Sequence, residues 1–231
     1  MNTARIVALT QPCEGGNQFE SMSVDEFIAY VARVSNPSNQ NNHDTSNKLL
    51  KYLAKNKHWS PFEMVHIVME INTTRDIARQ ILRHRSFTFQ EFSQRYADPT
   101  KDLGFERREA RLQDTKNRQN SVDLDVYTND DHRELNKIWE DVQTDVLIAS
   151  KKAYEWAVTN GIAKEQARAV LPEGMTVSKM YMAGSLRSWI HYCQLRMGNG
   201  TQKEHREIAI DAWYEITAKF PSLKDSLDIG G

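Results

Sequence analysis

Apolar positions in this chain fall into short runs and stripes of different period, and the periods predict the elements. Residues 5–9 (RIVAL) are a β-branched run that stops near Pro12 and the Gly15-Gly16 pair, which predicts a strand and then a turn. Ser23 with Glu26 three residues later forms a capping box, and Phe27, Ile28, Val31 and Val34 follow at helical spacing until Pro37. Residues 38–44 are polar and read as a loop. Leu49, Leu50 and Leu53 mark a second helix reaching about Lys57, with a turn at Ser60-Pro61. Residues 63–71 (EMVHIVMEI) are mostly apolar and rich in β-branched types, which predicts a buried strand. Thr73 or Thr74 then caps a helix over 75–85. Its apolar stripe is Ile77, Ala78, Ile81 and Leu82, while Arg75, Arg79 and Arg83 share another face at i, i+4, i+8. Like charges in such a row repel unless an anion or an acid lies opposite.

Residues 98–121 are charged and almost without aliphatic side chains, so a long exposed loop or mobile insertion is expected there. Asn129, Asp130 and Asp131 open a long helix, and Leu135, Ile138, Trp139, Val142, Val146, Ala149, Ala153 and Trp156 keep a 3–4 spacing until Asn160-Gly161. Residues 176–182 read as a strand, 185–197 as a helix and 201–220 as a closing helix. The expected class is α+β: mixed helices, a small sheet containing antiparallel pairs, and a pair of long helices. All 231 residues are expected to form one compact domain. No repeat, GxGxxG or GxxxxGK[ST] occurs, so neither a Rossmann nor a P-loop domain is supported.

Composition narrows the class. Only 39% of residues are hydrophobic, and the mean hydropathy is −0.66. A chain of this length buries about 70% of its unfolded surface, so the core is expected to be thin and helped by oligomerisation. Cys13 and Cys193 stand far apart with no CxxC and no His cluster, which indicates neither a disulfide framework nor a zinc site and fits a reducing compartment. The first residues lack a basic segment with a long apolar stretch, and no run approaches a membrane span, so a cytoplasmic protein is expected.

The formal net charge of −1 gives no bulk attraction to nucleic acid or membrane. It hides an asymmetry, however. Residues 75–118 carry 11 Lys or Arg against 7 Asp or Glu, and residues 121–145 carry 8 acids against 2 bases. The two segments can pair with each other or across subunits.

The densest chemistry is Arg83-His84-Arg85, followed seven residues later by Ser93-Gln94-Arg95-Tyr96. Arginine forks bind phosphate in bidentate fashion, so this spacing suits a polyanionic small molecule; a solvated basic helix paired to the acidic stretch is the plainer alternative. Gln166-Ala167-Arg168 with Leu171-Pro172 is a second cluster. The third runs from Gly184-Ser185-Leu186-Arg187 through His191 to Leu195-Arg196, where Trp189, Ile190 and Cys193 indicate burial nearby. Buried arginines need anions, and Glu165, Glu173 or Glu204 would serve as internal partners for them. His58 stands alone in a loop, as a base, a ligand contact or a merely solvated side chain.

Arg83-His84-Arg85, seven residues, Ser93, then Arg95-Tyr96 resembles the RHR-x7-S signature of flavin-dependent thymidylate synthases. Further blocks agree in order: Ala32-Arg33-Val34-Ser35, His58-x-Ser60-Pro61-Phe62-Glu63, Gln166-Ala167-Arg168-x-x-Leu171-Pro172, and Leu195-Arg196 followed by Gln202 and Glu204. The resemblance spans about residues 30 to 210. It implies an α+β homotetramer with FAD sites between subunits. The implied reaction methylates dUMP at carbon 5, with methylenetetrahydrofolate as carbon donor, FADH2 as hydride source and NADPH regenerating the flavin.

Position by position, the resemblance places Arg83, His84, Arg85, Ser35, Ser60, Glu63, Arg187 and His191 near FAD. It places Gln80, Glu91, Ser93, Arg95, Arg168 and Arg196 around dUMP, with Arg196, Ser93 and His58 as the catalytic candidates. No metal is implied. This chain departs from the family's usual pattern at Ser185, commonly Asn, and at Gly200, commonly His, both on the flavin side. Two other readings are a module that grips nucleic-acid phosphates and a thymidylate synthase with a cysteine nucleophile. Net charge and the missing stacking aromatics oppose the first, and the apolar helix around Cys193 opposes the second.

Overall fold

The computed structural model describes residues 2–13, 19–224 and 227; the expected Gly15-Gly16 turn lies outside them. Four strands, β1 (Thr3–Leu9), β2 (His66–Thr74), β3 (Thr88–Glu91) and β6 (Val177–Ser185), form one antiparallel sheet in the order β1-β2-β6-β3. Alternation decides what each face does. On the core face Met69 lies opposite Met182 and Ile71 opposite Met180, all fully buried. Helices α3 (Arg75–Ile81), α7 (Leu186–Arg196) and α8 (Lys203–Lys219) contribute Ile77, Trp189 and Ile208 to the same core. On the opposite face Glu70 accepts the Tyr181 hydroxyl at 2.9 Å and Arg5 Nε at 3.0 Å, with Lys179 Nζ at 3.6 Å. The Tyr181 hydrogen bond, helped by the two cations, holds this carboxyl below the ordinary carboxylate range.

Helix α1 (Val24–Ala32) begins on the expected capping box, with Glu26 N donating to Ser23 Oγ at 3.2 Å and Ser23 N to Glu26 Oε2 at 2.7 Å. Helix α2 (Ser46–Lys55) packs beside it. Helix α5 (Asp130–Thr159) spans 30 residues; it starts on the Asn129 side chain and ends where Gly161, at φ +82°, takes the left-handed turn.

Several expectations need correction. The strand expected from Glu63 begins at His66, because residues Ser60–Met64 form a 3₁₀ turn opened by Pro61 and anchored by buried Phe62. The helix expected over 75–85 stops at Ile81, so Arg83-His84-Arg85 lies in a turn and the three-arginine row does not exist. Tertiary contacts override local propensity there. Phe87 lies against Gly184 of β6, where an added Cβ would stand 2.5 Å from the Phe87 ring, and it also meets Trp189 at 4.9 Å between ring centres. Glycine at 184 therefore lets the turn dock on the sheet. The following strand, β3, carries no pattern that the sequence reading picked up.

The 98–121 segment is folded rather than loose. It contains α4 (Pro99–Asp102), and its Arg111–Gln113 strand β4 pairs with β5 (Ser121–Asp123) as a hairpin. Polar contacts pin it. Gln143 of α5 accepts Arg108 N at 2.7 Å and donates to Arg108 O at 2.8 Å, while Arg108 Nη2 reaches Thr74 at 2.6 Å and Asp76 at 2.7 Å. The basic and acidic stretches meet at one ion pair, Arg111 with Asp123 at 2.9 Å.

Candidate active site

Three groups of side chains stand out, one at the turn after α3, one along α3 itself and one at the start of α7. The first is built on Arg196, at the last turn of α7, whose Nε donates to His84 Nε2 at 2.9 Å. His84 must therefore be neutral with its proton on Nδ1. Burial, reinforced by the Arg196 and Arg83 charges, lowers its pKa to about 4, consistent with that role. The guanidinium plane of Arg196 is thus set by a group that does not neutralise it. Arg83 and Arg85, on either side of His84, are exposed, and no ion pair holds either among the described residues.

A buried polar chain adjoins this pair. Gln80 Nε2 donates to Gln202 Oε1 at 2.8 Å, Gln80 Oε1 faces His205 Nδ1 at 3.3 Å, and His205 Nε2 faces the Tyr192 hydroxyl at 3.1 Å. Burial, with the Arg196 charge adding, lowers the His205 pKa to about 3.

The second group is a cleft of about 300 Å³ lined by Arg75, Arg79, Gln94, Arg168, Leu171 and Glu173. Arg75 is 7% exposed and lies 3.5 Å from Glu91; Arg79 lies 3.3 Å from Glu173. Glu91 also accepts from Ser178 at 2.8 Å. Gln94 is 3% exposed, and its Nε2 has no hydrogen-bond partner. Three guanidiniums against two carboxylates, Glu91 and Glu173, with an unsatisfied buried amide beside them, describe a place for an anion. Ser93 and Arg95 lie exposed at its edge in sequence, Ser93 Oγ accepting Arg95 N at 3.4 Å, and Arg95 Nε pairs with Glu165 at 3.1 Å. Glu165 also holds Arg168, through its carbonyl at 3.3 Å.

The third group lies at the N-terminal half of α7. Arg187 pairs with Glu63, and His191 meets Trp59 edge-on at 5.0 Å. Burial and the Arg187 charge lower the His191 pKa against the opposing pull of Glu63. Ser185 caps α7 by accepting from Ser188 N at 3.2 Å, and Ser60 is exposed in the 3₁₀ turn. His58 sits exposed just past α2, its ring 6.0 Å from Tyr52. Ser35 lines a groove between α1 and α2 with Arg33, Thr45 and Tyr52, a lining that includes none of the other candidate residues. Among the described residues no cluster of His, Cys, Asp and Glu is suited to a metal, and no helix is long and apolar enough to cross a membrane. Cys193 is fully buried, and burial pushes its thiol pKa up, so it stays protonated.

Sequence reasoning missed Tyr192 and His205, and named Gln94 only as a member of the Ser93-Gln94-Arg95-Tyr96 block. The available signal was a polar atom inside an apolar stripe: Tyr192 sits between Trp189 and Cys193, and His205 three residues before Ile208.

The arginine-lined cleft along α3 and the histidine-oriented arginine after it are places suited to an anionic ligand. The family described as Thymidylate synthase complementing protein matches residues 19–222. The chain is 48% identical over 225 residues to the flavin-dependent thymidylate synthase of Synechocystis sp., covering 97% of this chain and 98% of that protein. It is 46% identical over 228 residues to a probable flavin-dependent thymidylate synthase of Paramecium bursaria Chlorella virus 1, covering 98% and 99%. Its fold is shared with a UMP/dUMP methylase, PolB, from Streptomyces cacaoi, at a TM-score of 0.72, 22% identity, and coverage of 97% and 94%. The chain belongs to the Thymidylate synthase complementing protein family, alongside the flavin-dependent thymidylate synthases.

Proposed function

We propose that this chain, acting as one domain within a homotetramer, methylates dUMP to dTMP with methylenetetrahydrofolate as carbon donor and FAD as cofactor, NADPH reducing the flavin. The observation that carries the reading is the cleft of Arg75, Arg79, Arg168 and the unpartnered Gln94 amide, whose charge and donor set match a nucleotide phosphate. Glu91 pairs with Arg75 of this cleft and Ser93 and Arg95 flank Gln94 in the chain; with Gln80 they would orient the nucleotide. Arg196, held by His84, would face the uracil carbonyls and stabilise negative charge as the ring is attacked, with no covalent thiol required. Ser93 and His58 are the remaining catalytic candidates, for positioning and proton transfer.

The residues present fit FAD. Arg83 and Arg85 offer for its pyrophosphate two guanidiniums that hold no ion pair among the described residues, and Glu63, Arg187, His191, Ser35 and Ser60 would supply polar groups for the rest. When bound and reduced, the flavin supplies the hydride that completes the methyl group. Oligomerisation is supported by α5, which leaves Trp139 41% and Val142 48% exposed one turn apart, an apolar stripe that a second copy would cover. Such packing would also bring Ser35 and His58 to sites they do not reach within one chain.

The test is direct. Purified protein should be yellow with an oxidised-flavin spectrum, bind dUMP, and form dTMP when given methylenetetrahydrofolate and NADPH. A colourless protein that instead retains DNA with steep salt dependence would overturn the proposal in favour of a nucleic-acid module.

A further inference from the structure

The polar chain behind Gln80 has a direction, and the direction is set at its buried end. Tyr192 is 1% exposed and His205 is fully buried. The Tyr192 hydroxyl faces His205 Nε2 at 3.1 Å, His205 Nδ1 faces Gln80 Oε1 at 3.3 Å, and Gln80 Nε2 donates to Gln202 Oε1 at 2.8 Å. Two hydrogen-bond patterns satisfy these contacts, one the reverse of the other. In the first the phenol donates to Nε2, the histidine carries its proton on Nδ1 and donates to Gln80 Oε1, and the amide N–H groups of Gln80 point away from His205. In the reverse pattern Nε2–H donates to the phenol, Nδ1 accepts from Gln80, and the phenol proton is left in a buried site without an acceptor. An unsatisfied buried donor costs more than a normal hydrogen bond returns, so the first pattern prevails. Burial raises the phenol pKa and lowers that of His205 to about 3, so neither group changes charge near neutrality and the chain stays fixed.

We infer that Tyr192 and His205 are positioning residues for the nucleotide: they fix the orientation of the Gln80 amide, so that one of its N–H bonds is held by Gln202 and the other is kept as a donor for dUMP. The inference rests on the proposed function, in which Gln80 contacts dUMP, and adds to it two residues from inside the core. His84 does the corresponding work for Arg196 a few ångströms away: the His84 ring centre lies 5.0 Å from that of Tyr192 and 6.2 Å from that of His205. Two neutral imidazoles thus hold Gln80 and Arg196, two of the polar side chains offered to the substrate.

The test uses the flavin-loaded enzyme. Tyr192→Phe keeps the packing but removes the phenol donor, which frees His205 to adopt the other tautomer and Gln80 to reverse. KM for dUMP and the dUMP dissociation constant by calorimetry should each rise about tenfold, the scale of one lost hydrogen bond, while saturated kcat and flavin content stay near wild type and the melting temperature falls by only a few degrees, the cost of leaving His205 Nε2 unpaired. His205→Asn, whose amide N–H can stand in for Nδ1–H, should restore dUMP affinity relative to His205→Leu. If His205→Leu does not fold, Tyr192→Phe against His205→Asn decides alone. Unchanged dUMP affinity in Tyr192→Phe, beside a wild type that binds dUMP, overturns this inference and leaves the proposed function standing. A flavin-loaded wild type that does not bind dUMP overturns both.

Discussion

Each arginine of the candidate site is defined by what it lacks or has as a partner. Arg196 has a neutral acceptor in His84, so its full charge remains for the substrate, while Arg85 has no ion pair among the described residues. Arg85→Ala should lose flavin, and excess FAD should partly restore turnover by mass action. Arg196→Ala should stay yellow and lose about a hundredfold in turnover that added FAD does not restore; absorbance after gel filtration and a turnover assay with titrated FAD separate the two. Cys193→Ala should retain dTMP formation, because its buried thiol cannot ionise to attack the ring.

The histidines also set an acid limit. His84 falls from 6.5 to about 4 and His205 from 6.5 to about 3 in the folded protein. Below about pH 6.5 the unfolded chain takes up protons that the native state refuses, so stability is full at neutral pH and falls as pH drops towards 4. Asp25 acts in the opposite sense. Burial, with Glu26 adding, raises it to about 6, so its contribution is largest in acid and fades as pH rises from 3.8 to 6. Two histidines against one aspartate leave a net acid loss, measurable as falling urea midpoints at pH 7.5, 6.0 and 5.0, with a shallower slope in His205→Asn.

At the scale of elements, the docking of the Arg83–Arg85 turn depends on Gly184. A Cβ there would meet the Phe87 ring at 2.5 Å, so Gly184→Ala should push Phe87 and the turn away from β6. The expected cost is about 1–3 kcal/mol of stability, read by denaturant unfolding, together with weaker FAD retention. The same contact explains what was legible in the sequence. Elements whose stripe faces the core directly, such as α7 and α8, appear close to where their spacing predicts them, and so does α5, whose regular stripe stays exposed. The 75–85 helix ends early because Phe87 and His84 are fixed by residues about a hundred positions away, which no local period records. The 98–121 segment departs from its expected loop for a related reason. It is held by Gln143 and Arg108 through backbone and side-chain hydrogen bonds instead of aliphatic packing, so hydrophobic periodicity had nothing to register. Within the site, the arginines and Ser93 were visible as motif members, whereas Gln94, Tyr192 and His205 show their importance only through the partner each has or lacks.

For the whole molecule, the proposed assembly through the apolar stripe on α5 would make oligomerisation and cofactor binding one problem. Val142→Glu placed in that stripe should yield smaller particles by light scattering and, with them, loss of bound flavin if sites are completed between subunits. A monomer that kept its flavin would separate the two and remove the need for a partner chain.

The burial of Cys193 has a practical consequence as well. Cys13 is exposed, so a thiol-reactive dye should attach once per native chain, and a second attachment should report the opening of α7. Counting dyes per chain by mass spectrometry over time would then clock that opening, and the single native label at Cys13 gives a defined attachment point for distance measurements between subunits.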